Sequence, residues 1–155
     1  MNNFSTLYQR LDQTTKTNEK LDALVDFLKS NTDKDRLHAV ALLSHRRPKR
    51  PVKTADLRLW ASEYADIPLW LLEDTYHIVG DLAETLAQII PDAPKVMNTD
   101  PLHTWVTRIR NIHSATDEEK KNFILHSWAS LNKSDRFVFN KIITGAFRIL
   151  SLIHI

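Results

Sequence analysis

The sequence has no cysteine, which excludes a disulfide framework and any zinc site built on thiolates. It has only two glycines, Gly80 and Gly145, too few for a glycine-rich phosphate loop, and neither GxGxxG nor GxxxxGK(S/T) occurs. Seven histidines are scattered without H-E-x-x-H or comparable spacing, so they read as surface or packing residues rather than metal ligands. No serine sits in a G-x-S-x-G elbow. The acid pairs Glu73–Asp74 and Glu118–Glu119 fall near helix starts or on polar faces, where the helix dipole and solvent account for them. Nothing forms a complete active site. No run approaches the ~18 apolar residues of a membrane span. The opening MNNFSTLYQRLDQ has no basic stretch followed by an apolar one, so it does not read as a secretory signal. These absences point to a soluble, cytoplasmic domain, and a monomer is expected.

What is present begins with charge. The net is only +2, but residues 1–35 carry −1, residues 36–55 carry +6, residues 56–100 carry −7 and residues 101–155 carry +4. A surface so divided has a basic part suited to a polyanion. The densest basic run, SHRRPKRPVK at 44–53, sets Arg46, Arg47, Lys49, Arg50 and Lys53 around Pro48 and Pro51. It reads as a solvated loop, as a localisation signal, or as a stiffened turn that holds an anion.

Apolar residues recur at three- and four-residue spacing, which predicts an all-α, compact, irregular bundle of about eight helices and no strand. Phe4, Leu7, Tyr8 and Leu11 mark a first helix; Leu21, Leu24, Val25 and Leu28 a second; Leu37, Val40, Ala41 and Leu43 a third capped by Thr32 or Asp33. Thr54 is expected to cap a helix with Leu57, Trp60, Ala61 and Tyr64 inward, and Pro68 to open another that Gly80 kinks or divides before Pro91. PDAPKVMNTDP reads as a linker. Asp100 and Pro101 start a helix carrying Leu102, Trp105, Val106 and Ile109; TDEE at 116–119 fits a capping box; Ser134 is expected to cap the last helix and Gly145 to end it. All four tryptophans lie in amphipathic segments and are expected in the core.

Three stretches, FSTLYQRLDQTTKTNEKLDALVDFL, HRRPKRPVKTADLRLWASEYADIPLWLLEDTYHIVGDLAETLA and DRFVFNKIITGAFRI, together resemble the N-terminal DNA-binding domain of bacterial ATP-dependent DNA ligases. The likeness runs from about residue 4 to residue 149, nearly the whole chain. It implies a helical domain that precedes nucleotidyltransferase and OB-fold domains and holds nicked duplex DNA through phosphate and minor-groove contacts. The parent activity implied is sealing of nicks in replication, repair and recombination, using ATP, a divalent metal (Mg) and a lysine in K-x-D-G. Neither glycine here completes that motif, since Gly80 follows Val79 and Gly145 follows Thr144. The resemblance therefore implies a truncated fragment that binds DNA but is inactive alone, with ATP, metal and the catalytic partner domain lying elsewhere.

The expected domain is residues 1–149. The terminal LSLIHI is also the translation of the end sequence of a common transposase-based sequencing adaptor, so residues 150–155 are expected to be a non-native read-through tail. The expected DNA-binding residues are Arg46, Arg47, Lys49, Arg50 and Lys53 in the basic run, and Lys141, Thr144, Gly145 and Arg148 near the end of the last helix. In that second group a helix C-terminus neutralised by its own basic residues is the plainer alternative. Arg108 and Arg110 are weaker candidates. Two other functions compete: a helical interaction module that offers its acidic 56–100 region to a basic partner, and a stand-alone helical DNA-repair protein.

Overall fold

The computed structural model describes residues 1–92, 97–145 and Phe147. Among these residues there are nine helices and no strand: α1 (Asn2–Asp12), α2 (Thr17–Ser30), α3 (Asp33–Leu43), α4 (Thr54–Ala65), α5 (Leu69–Val79), α6 (Leu82–Ile89), α7 (Leu102–Ile112), α8 (Asp117–Ser130) and α9 (Lys133–Thr144). The fold is all-α, as the periodicity predicts. The extra helix arises at Gly80, whose φ of +79° terminates α5, after which the Asp81 side chain accepts from the Glu84 amide and starts α6. The tail 150–155 and Arg148 lie outside the described residues. No helix among those described is long and apolar enough to cross a membrane.

Helix α9 is the hub, packed most extensively on α6 and also on α1. Val138, Phe139, Ile142 and Ile143 are buried along it. Its polar residues are equally enclosed. Asn140 Nδ2 donates to the Ala83 carbonyl at 3.3 Å, and Asn140 Oδ1 accepts from Trp128 Nε1 at 2.8 Å, tying α9 to α6 and α8. Arg136 is fully buried, and its terminal nitrogens donate to the carbonyls of Ile90 (3.2 Å) and Pro91 (3.3 Å) just past α6 and to Asp92. A guanidinium there satisfies carbonyls that a helix end leaves orphaned. Burial pushes its pKa down, and the Asp92 carboxylate opposes that shift.

Several caps and faces differ from the sequence expectation. Thr32 and Thr116 cap α3 and α8 as expected, each accepting from the amide three residues on. Helix α9 is capped by Asn132 rather than Ser134, whose hydroxyl instead accepts from Gln9 Nε2 at 2.8 Å. Thr54 is the first residue of α4, with Lys53 at the N-cap position. The buried face of α3 is Ala39, Leu42 and Leu43, while Leu37 is 71 % exposed. Helix α2 likewise buries Ala23 and Phe27 and leaves Leu21 and Val25 out. The expected stripes are thus only partly right: Leu43 is buried and Leu24 and Leu28 pack against the core, whereas Leu21, Val25, Leu37 and Val40 are exposed. Trp60, Trp105 and Trp128 are buried, but Trp70 is 65 % exposed, contrary to the expectation of a core position.

Candidate nucleic-acid interface

The basic run leaves α3 through a Schellman turn. His45 adopts a left-handed φ of +66°, its amide donates to the Leu42 carbonyl, and the Arg46 amide reaches back to Ala41 at 2.7 Å. From there Pro48, Pro51 and Val52 are buried, whereas Arg46, Arg47, Lys49, Arg50 and Lys53 are exposed. The prolines thus do more than stiffen the loop. They are anchors sunk in the domain, and the cations between them face outward.

The two groups of expected residues meet. Arg50 Nη2 donates to the Thr144 carbonyl at 3.3 Å, and the Arg47 guanidinium lies against Gly145, occupying the space that a Cβ there would take. Gly145 has φ +87°, and its amide closes α9 onto the Lys141 carbonyl. Beyond this turn Phe147 is buried on Tyr8 and Phe4, at 5.5 and 6.0 Å between ring centroids. Loop and helix end, distant in sequence, form one basic surface around the negative end of the α9 dipole.

Lys141 is placed differently from its loop companions. It is only 5 % exposed, its ammonium is paired with the Asp81 carboxylate, and it lies 5.4 Å from the Phe137 ring centroid. Asn140, one helical turn from Thr144, belongs to the core. Thr144 is half-buried, with its hydroxyl on the Asn140 carbonyl at 2.7 Å. Arg108 pairs with Asp100 at 2.6 Å and lies 5.2 Å from the centroid of the Trp105 ring, while Arg110 is exposed and makes no ion pair among the described residues.

Arg50 stands where three surface hollows meet. A cleft of about 640 Å³ passes Arg50, Thr144, Lys141, Asp81, Tyr8 and Lys20. A second of about 530 Å³ runs from Arg50 along Lys53 and the start of α4 to His113 and Lys120. The third is bounded by His45, Arg47, Pro48, Lys49 and Arg50. At the start of α4 no side chain caps the first amides, so backbone donors lie beside the Lys53 cation. His113 and Lys120 escaped the sequence reading because neither lies in a basic cluster. Asp81 could have been found, since an Asp directly after a helix-ending glycine is a strong N-cap signal. Burial pushes the Tyr8 hydroxyl far above the ordinary tyrosine range, so at this cleft it is a neutral hydrogen-bonding group.

Among the described residues no three His, Asp or Glu side chains converge as a metal ion would require, and the sequence has no K-x-D-G lysine for ATP to modify. The residues present do not fit the nucleotide or the metal of nick sealing. Comparison with curated proteins finds no match. A family model described as DNA ligase N terminus matches residues 1–151, nearly the whole chain, and spans both halves of the basic surface. The chain belongs to the DNA ligase N terminus family.

Proposed function

We propose that the chain binds duplex DNA without sequence preference, as the domain that clamps nicked DNA in an ATP-dependent ligase of bacterial type. Arg46, Arg47, Lys49, Arg50 and Lys53 would meet phosphates, with Thr144 and Gly145 completing the surface at the end of α9 and Arg148 proposed as a further phosphate contact. Arginine suits this task because its planar fork donates two parallel hydrogen bonds to phosphate. A ligase acts at any sequence, so backbone contacts serve it better than reading of base edges. Lys141 would act indirectly, holding Asp81 away from the incoming phosphates. ATP, the divalent metal and the reacting lysine belong in this reading to a catalytic domain outside this sequence, and the setting is the cytoplasm.

One observation carries the proposal: the basic loop is seated on α9 by Arg50 and Arg47, so its cations are displayed from fixed anchors. Preorganisation of this kind lowers the ordering cost of binding. The test is fluorescence anisotropy on nicked duplexes of two unrelated sequences. Both should bind equally well, and the combined Arg46→Ala, Arg47→Ala, Arg50→Ala variant should weaken both alike. Undiminished affinity in that variant removes the loop from the mechanism.

A further inference from the structure

Helix α5 presents a second surface with opposite chemistry. Seven of its eleven residues are apolar or aromatic, yet only Leu72 is fully buried. At 100° per residue, Trp70, Leu71, Asp74, His77 and Ile78 fall within one arc, opposite Leu72 and Tyr76. All five are exposed, and Ile78 is 86 % exposed. A helix apolar on both sides belongs in an interior, so a bare arc with Trp and Ile at i and i+8 marks an interaction site rather than scattered surface residues.

Charge identifies the occupant. Between Arg58 and Lys95 there are seven acids and no Lys or Arg. Asp74 lies in the middle of the arc, Asp66 just ahead of the helix, and neither makes an ion pair among the described residues. Glu73, Glu63, Asp81 and Asp92, by contrast, are neutralised by Arg58, Lys121, Lys141 and Arg136, so among the described residues the free acid on this face is Asp74, with Asp66 beside it. An acidic, apolar face repels nucleic acid and anionic lipid. It complements a protein segment whose apolar side chains are flanked by Lys or Arg.

We infer that the Trp70–Ile78 face of α5 docks a basic, apolar segment of a partner protein, independently of the DNA-binding surface. Trp70, Leu71 and Ile78 supply the anchors, and Asp74 fixes the partner's charge. The probe is a short amphipathic helical peptide made only of Leu and Lys, titrated onto the full chain by calorimetry without DNA. Saturable binding is expected. It should weaken at least about tenfold in Trp70→Ser/Ile78→Ser and in Asp74→Lys, while both variants keep wild-type affinity for nicked duplex. A Leu/Glu peptide and polylysine should bind far more weakly. The inference is overturned by absent binding, by affinity equal to that of polylysine, or by affinity unchanged in the variants. It is also overturned if the chain dimerises and Trp70→Ser/Ile78→Ser abolishes the dimer, which gives the face to a second copy. Retained duplex binding in these variants separates this inference from the proposed function, which stands or falls on the loop.

Discussion

The two glycines invite the same substitution with different consequences. Both sit at positive φ, where a Cβ costs about 1–2 kcal/mol. At Gly80 an added Cβ meets open space, so Gly80→Ala should lose about that much stability and leave DNA affinity intact. At Gly145 the methyl would also displace the Arg47 guanidinium. Gly145→Ala should therefore lose both stability and duplex affinity. Urea denaturation and anisotropy on the same samples separate the two effects. Lys141 offers a further residue-scale test. Its ammonium is enclosed against a part-exposed Asp81, and Lys141→Met leaves that carboxylate with the Glu84 amide but without its cation, an expected loss of about 1–2 kcal/mol in urea denaturation.

At the scale of elements, a part-exposed acid ahead of α7, Asp100, and a buried acid of α9, Asp135, give stability a pH dependence of opposite sign. Asp135, in the first turn of α9, accepts from Ser5 Oγ at 2.5 Å, and burial pushes its carboxyl above the ordinary 3.8, with the Ser5 hydrogen bond opposing. The native state then holds that proton more tightly than the unfolded chain. Stability from this group falls as pH rises from the ordinary value through the raised one. Asp100 is the reverse. Its hydrogen bond from Asn98 and its contact with Arg108 hold the carboxyl below 3.8, so its contribution is present above that value and is lost as pH falls through the lowered one. Relative to wild type, Asp135→Asn should gain stability as pH rises through the carboxylate range. Asp100→Asn should lose it over the lower part of that range, as measured by urea midpoints across pH. The Arg136 clamp at the end of α6 is a stronger determinant: Arg136→Ala should cost about 3 kcal/mol by uncoupling several carbonyls at once.

At the scale of the molecule, helix content, the glycine helix ends and the basic loop were legible because each depends on local chemistry: spacing, positive φ, and charge density. The meeting of the loop with Thr144 and Gly145 was not legible, because it depends on how α3, α4 and α9 pack. Nor could the sequence distinguish Trp70 from Trp105 and Trp128, since an apolar stripe does not say whether a neighbour covers it. Lys141 illustrates the same limit from the other side. It looks like a phosphate contact in sequence and lies beside Asp81 in the fold.

The proposed clamp depends on one loop-borne set of cations that neutralises DNA phosphates. The most direct measurement is the salt dependence of duplex affinity for the wild type and for the Arg46→Ala, Arg47→Ala, Arg50→Ala variant. With about five phosphates engaged, log K should fall against log salt with a slope of about −4 to −5, and the variant's slope should shrink to about −2. Equal slopes in the two proteins, or affinity indifferent to salt, would contradict that dependence.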